Sequence, residues 1–392
     1  MRQIKRGFRL PITGGMRLVA TNRLKPGMLL GRDVLTDVHG RVPLLRAGIP
    51  INERYKQALL DAGIHAVYVD DALGSGIQVT HALSESTRES ATKALVRSFS
   101  GAPTMLETNQ TLSDAAINEL ADVAARISAD LADADDAVLA LSDLAAADRY
   151  TLQHSIDVTA LGVLIARRHF RRHGRPASCG RRRFDHIEQY LVKLGVGLLL
   201  HDIGKLVVPA AILNKPGPLD PEETAIMRTH PLVGLELLPG DVIGPLAKSV
   251  VRSHHERWDG SGYPNGLAGT DISEFARIAA VADVFDAITS ERPYARAAQP
   301  YVGVRAIVEG CGTSFDPAIV ESFRKVVAPY PPGSEIVLAD GRRGVVVSVP
   351  TDDMEHPLVR IGFDPSNKQI DPYEIDMREE PHLLPQGLGR AA

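Results

Sequence analysis

Cysteine is nearly missing from these 392 residues, with only Cys179 and Cys311 present. Two thiols cannot build a disulfide framework or a thiolate zinc site, so any metal site here must use nitrogen and oxygen ligands. No uncharged apolar run approaches the ~18–20 residues that a membrane-spanning helix needs. The opening stretch MRQIKRGFRLPITGG is basic but lacks the apolar segment of a secretory signal. The expectation is a cytoplasmic protein with no membrane partner. An excess of one charge is also lacking. The 44 basic and 48 acidic side chains leave a net −4, which argues against a nucleic-acid polymer as partner. Hydrophobic residues make up 44% and charged residues 23%, an ordinary globular balance that excludes a disordered, collagen-like or wholly coiled-coil chain. The length suits two or three domains of roughly 150 residues.

What is present changes in texture along the chain. Residues 1–16 are expected to be disordered. Residues 17–80 read as a small α+β module, with strand character in MRLVATNRL and HAVYVDD, a Pro26-Gly27 turn, and a helix INERYKQALLDAG stopped by Gly63. Residues 81–135 read as a polar linker, rich in Ser and Thr, followed by a connecting helix. Residues 136–330 carry almost unbroken helical periodicity and read as a helical bundle domain. After Pro329, Pro331 and Pro332 the chain turns β-rich. SEIVLADGRRGVVVSVP is a hairpin around Asp340-Gly341, and two further short strands complete a small barrel or sheet over 331–385. The predicted fold class is therefore mainly α, with a small α+β module before the bundle and a small β-rich domain after it.

The segment 167–183, RRHFRRHGRPASCGRRR, holds Arg167, Arg168, Arg171, Arg172, Arg175, Arg181, Arg182 and Arg183. It reads either as an electrostatic arm for an anionic partner or, the preferred reading, as a solvated loop inserted between two helices.

Histidine and aspartate carry the chemistry. His201 and Asp202 end the run LVKLGVGLLLHDIGK, whose apolar density predicts a helix buried nearly all round. A buried carboxylate costs several kcal/mol or more unless it is paired or bound to a cation. The alternative for this pair is a helix-capping hydrogen bond. His230 precedes Pro231, which is expected to push it out of helical backbone space and place it near the next helix N-terminus, where a neutral ring is favoured. Alone, it could equally mark a helix break. His254 and His255 end one helix and diverge by about 100°. They can serve neighbouring ions, or one can ligate while the other orients. His154 lies on the amphipathic helix YTLQHSIDVTALGVLIARR, and Asp283 on ARIAAVADVFDAITS, where the alternative is a solvent-facing aspartate. Five histidines and two aspartates thus punctuate successive helices where no thiolate is available. Such a set suits two divalent ions such as iron, manganese, zinc or nickel, a recurrent phosphoester-hydrolysis device in which a carboxylate such as Asp202 could bridge.

These residues resemble the HD-GYP family of the HD phosphohydrolase superfamily. His201-Asp202-Ile203-Gly204-Lys205 is similar to its HDIGK motif. His254-His255-Glu256 with Asp259-Gly260-Ser261-Gly262-Tyr263-Pro264 is similar to its HHExxDGxGYP. The pieces Ile212 to Pro216, Asp283 to Asp286, Arg292-Pro293-Tyr294 and Phe315-Asp316-Pro317 agree, over about residues 140–328. The resemblance implies hydrolysis of the bacterial second messenger cyclic di-GMP to pGpG, and often on to GMP, by a metal-bridging hydroxide. It makes His154, His201, Asp202, His230, His254, His255 and Asp283 metal ligands, with His201, Asp202 and Lys205 catalytic. Lys205 would contact the scissile phosphate and Arg292 another substrate phosphate. Tyr150 stands where three-ion homologues have glutamate, which favours two ions. Tyr263 and the surrounding loop would form a rim that contacts substrate, or a dock for diguanylate cyclase (GGDEF) domains; a plain glycine-permitted turn is the other reading. The rival function is a catalytically weak cyclic di-GMP receptor or scaffold. A third is hydrolysis of another cyclic dinucleotide.

Overall fold

A computed structural model describes residues 15–34, 43–64, 66–77, 82–132, 150–177, 181–240, 242–290 and 298–385. Its centre is one continuous apolar core that runs in sequence from Leu83 to Val327. The helix Ile187–Leu200 lies inside it, with Leu191, Leu194 and the whole run Gly195 to Leu200 buried, as its apolar sequence predicts. The long helix Tyr150–His173 packs along it, and Pro245–Ser253 and Glu274–Thr289 close round the pair. Among the described residues no helix is long and apolar enough to cross a membrane.

The segment that looks like a polar connector supplies three helices to this core: Glu85–Phe99, Ala102–Glu107 and Asp114–Asp130. Its hydroxyls mislead because they are used locally. Ser84 and Ser113 cap helix N-termini by accepting from Thr87 N and Ala116 N, and buried Thr92 donates back to Arg88 O.

The arginine-rich segment is also less solvated than its composition suggests. Residues 167–173 continue the long helix, and Arg175–Pro176 pairs with Arg182–Arg183 as a short antiparallel ribbon; 178–180 lie outside the described residues. Arg167 is 1% exposed and donates to Leu131 O, Ser128 O and Ser128 Oγ, so it ties two helices together from within. Arg182 reaches Glu274 at 3.0 Å, and Glu274 also accepts from His169 Nε2 at 3.0 Å. Among the described residues, Arg167, His169, Phe170 and Arg175 are buried, so this part of the segment is internal scaffolding and not a free arm or loop.

At the two ends of the chain lie small sheets with cores of their own. The N-terminal sheet orders Met16–Ala20, Ala66–Asp70 and Leu29–Leu30 antiparallel over the helix Glu53–Asp61, which Asn52 caps. Four antiparallel strands in sequence order, Glu335–Val337 to Gln369–Asp376, form the C-terminal sheet. The hairpin turns at Gly341, whose φ of 88° suits glycine. These two modules touch. Leu18 N donates to Gly333 O, and Arg360 donates to the carbonyls of Leu73 and Ser75.

Glu274 offers a test of the scaffolding role. Burial raises its pKa, but His169 and Arg182 outweigh that and hold it below the usual value. A lowered carboxylate stabilises the fold above the unfolded pKa of about 4.3, and that contribution is lost as pH falls through the folded value. Glu274→Gln should therefore cost about 1–2 kcal/mol at pH 7. The difference from the unsubstituted protein should shrink towards zero below pH ~4 in urea titrations.

Candidate metal centre

Five helices and their ends deliver seven side chains to one place. His154 comes from Tyr150–His173, His201 caps the end of Ile187–Leu200, and Asp202 follows it into a 3-10 turn at Ile203–Val207. His254 caps Pro245–Ser253 with His255 next, and Asp283 sits in Glu274–Thr289. His230 is the first residue of His230–Glu236, so Pro231 does not expel it from helical conformation. Proline is tolerated in the first turn because its missing N–H has no intrahelical partner to lose. Gly204 lets this short helix come close, since a Cβ there would stand 2.1 Å from His230 O.

Two ligand-like groups result: Asp202, His230, His254 and His255 in one, and His154, His201 and Asp283 in the other, with the donor atoms within 4.8 Å of one another in each. Asp202 joins them. Its Oδ1 is 3.4 Å from His230 Nε2 and 3.7 Å from His254 Nε2. Its Oδ2 is 3.4 Å from His201 Nε2 and 3.6 Å from His154 Nε2. Asp283 Oδ1 is 3.2 Å from His154 Nε2, and its Oδ2 is 4.0 Å from His255 Nδ1. Asp283 is 7% exposed and Asp202 1%, which removes the solvent-facing reading of Asp283.

Tautomers decide what this cluster can hold. His201 Nδ1 donates to Leu198 O, His230 Nδ1 to Met227 O, and His254 Nδ1 to the carbonyls of Val250 and Val251. In the neutral rings each Nε2 then presents a bare lone pair towards Asp202. The Nε2 atoms of His230 and His254 face each other at 3.3 Å. His201 Nε2 and Asp202 Oδ1 make no hydrogen bond. Burial pushes His230 down to about 3 and His255 well below the usual range, so both stay neutral. Burial works against the charge on Asp202, yet the Lys205 ammonium beside it holds it well below the usual carboxylate value. Buried lone pairs and carboxylate oxygens that converge without protons fit divalent cations, and imidazole with carboxylate is the donor set of first-row metals. The capping hydrogen bond proposed for the His–Asp pair does not form, because His201 spends its proton on Leu198 O.

Of the remaining sequence-derived residues, Lys205 Nζ bonds Asp202 Oδ2 at 2.6 Å and keeps a quarter of its side chain exposed at the mouth. Tyr263 stacks on His255 with ring centroids 4.7 Å apart. Its loop is a built structure: buried Glu256 accepts from Asn265 N and Leu267 N, and a Cβ on Gly262 would meet Glu256 Cα at 2.5 Å. A simple solvent turn would not need a buried carboxylate. Arg292 and the side chain of Tyr150 lie outside the described residues.

Asp286 is the residue that sequence reading missed. It is 2% exposed, accepts from His154 Nδ1 at 2.6 Å and from Ser290 Oγ at 2.8 Å, and so turns the ring until Nε2 faces Asp202. Burial disfavours charge on His154, but Asp283 and Asp286 lift it to about 10. The available signal was spacing: Asp283 and Asp286 are three apart and share a helix face. Asp286→Asn should weaken Mn²⁺ binding about 10–100-fold with the fold intact, read by chelator competition alongside circular dichroism.

Comparison with known proteins agrees with this geometry. Residues 178–319 match the HD domain family model. A cyclic di-GMP phosphodiesterase of Pseudomonas aeruginosa is 37% identical over 255 residues, 65% of this chain and 58% of that protein. A cyclic di-GMP phosphodiesterase response regulator of Xanthomonas campestris is 44% identical over 129 residues, 32% of this chain and 33% of its own length. A 3'3'-cGAMP-specific phosphodiesterase of Vibrio cholerae is 44% identical over 127 residues, 31% of this chain and 24% of that protein. The chain therefore spans less than two thirds of each of these relatives. Residues 178–319 of its helical bundle are thus similar to the HD domain family, and the chain is similar to proteins named cyclic di-GMP phosphodiesterases.

Proposed function

We propose that this protein is a metal-dependent phosphodiesterase that opens cyclic di-GMP to pGpG, acting in the cytoplasm. The observation that carries the reading is Asp202, a buried carboxylate whose two oxygens face two separate histidine groups at 3.4–3.7 Å. That arrangement suits two ions sharing one bridging carboxylate. His154, His201 and Asp283 would hold one, and His230, His254 and His255 the other. A bound divalent pair supplies acidified water near neutral pH and neutralises phosphoryl charge.

The chain's own residues do the rest. The backbone carbonyls behind His201, His230 and His254, and Asp286 behind His154, fix each ring and its proton before any ligand arrives, which removes reorganisation from the reaction. Lys205 is anchored on Asp202 with its ammonium at the mouth, where it meets a phosphoryl oxygen. Arg292 is assigned a phosphate contact on the motif match alone. The full ligand set, together with Lys205, favours turnover over a receptor role.

The reading is tested with purified protein, Mn²⁺ or Fe²⁺, and cyclic di-GMP beside 3'3'-cGAMP, with products identified chromatographically. Cyclic di-GMP should yield pGpG. Chelation or His201→Ala should lower the rate by more than about 100-fold, beyond the 10–100-fold that outer-shell changes cost. Faster turnover of 3'3'-cGAMP would reassign the substrate, and undiminished turnover by metal-depleted His201→Ala would refute the two-metal reading.

A further inference from the structure

Among the described residues, several cations near the ligand residues in sequence are already engaged. Lys205 is bonded to Asp202, Lys215 pairs with Glu223, and Arg252 donates to Asn265 Oδ1. Arg228 is different. It lies two residues before His230, is exposed, and among the described residues neither hydrogen-bonds an acceptor nor pairs with a carboxylate. Its guanidinium carbon stands 5.1 Å from the centroid of the Tyr263 ring. Tyr263 in turn stacks on His255, and the His255 ring is 5.0 Å from that of His230. A ladder of rings thus leads from the histidine cluster outward and ends in an uncommitted positive charge.

We propose that Arg228 anchors the second, non-scissile phosphodiester of the bound dinucleotide while the first lies at the His/Asp cluster. This rests on the phosphodiesterase reading above. The floor of the site carries the buried carboxylates Asp202 and Asp283, so an anionic ligand needs positive groups to receive it. Lys205 is one, but its charge is already shared with Asp202. A guanidinium held over an aromatic face keeps its N–H edge available, and that edge matches two phosphate oxygens at once. Contact with Tyr263 also limits the side-chain freedom that binding would otherwise have to remove.

The test uses Arg228→Met and Arg228→Lys in the full chain with metal loaded. The ligands are cyclic di-GMP and the linear dinucleotide GpG, which keeps both guanines but has one phosphodiester. Arg228→Met should raise KM for cyclic di-GMP about tenfold or more, the loss of one charge-assisted contact, with kcat within about threefold. Arg228→Lys should recover part of that loss. For GpG, the KM or the Ki against cyclic di-GMP turnover should move by less than about threefold. Unchanged KM for cyclic di-GMP overturns the proposal. So does equal weakening of GpG, which would assign Arg228 to a base, or loss of kcat together with metal, which would assign it to the support of Tyr263 and His255. If the unsubstituted protein makes no pGpG, the phosphodiesterase reading itself fails, an outcome visible before any variant is compared.

Discussion

Asp202 carries its negative charge where almost no water reaches, beside the rings of His201, His230 and His254, whose Nδ1 atoms donate to backbone carbonyls. In isolation that is an expensive arrangement, because a buried carboxylate and facing lone pairs repel and lack solvation. It becomes favourable when cations sit between them. Much of the helical domain serves this one constraint. The helix Ile187–Leu200 is buried so completely that it can present His201 and Asp202 at its end in only one way, and Gly204 removes the side chain that would keep His230 at a distance. Helix ends supply the carbonyls that fix the ring protons, so the fold sets the protonation pattern as well as the positions.

The same logic extends one layer outward. Asp286 holds His154, Glu256 holds the loop that carries Tyr263, and Arg167 fastens the long helix that bears His154 to the end of Asp114–Asp130. Each is a buried ionisable group whose partners lie within the protein. None would be expected at those positions if packing alone were being satisfied, because an apolar residue of similar volume is usually no worse for stability. Their common effect is rigidity behind the site. The two end modules bring in a different kind of order, since residues separated by most of the chain meet where Leu18 joins Gly333 and Arg360 joins Leu73.

Much of this was legible in the sequence, for physical reasons. The apolar run before His201, the absence of thiols and the spacing of histidines at helix ends all report on local chemistry, and local chemistry survives folding. The hairpin at Gly341 and the helix capped by Asn52 follow from the same kind of signal. What stayed hidden depends on contacts distant in sequence. Ser84 and Ser113 look like linker residues until their capping roles are seen. Arg167 is indistinguishable from its exposed neighbour Arg168 until Leu131 and Ser128 are placed beside it. Asp286 reads only as the end of the Asp283-to-Asp286 motif piece until His154 arrives from another helix. Arg228 carries no sequence signal at all beyond its nearness to His230.

The proposal that Asp202 would be shared by two ions is addressed most directly by metal counting. Metal-free protein titrated with Mn²⁺ and then measured by elemental analysis should hold two ions per chain. His230→Ala should retain one, and Asp202→Ala should retain neither tightly. A single ion in the unsubstituted protein, or two ions retained by Asp202→Ala, would contradict the account.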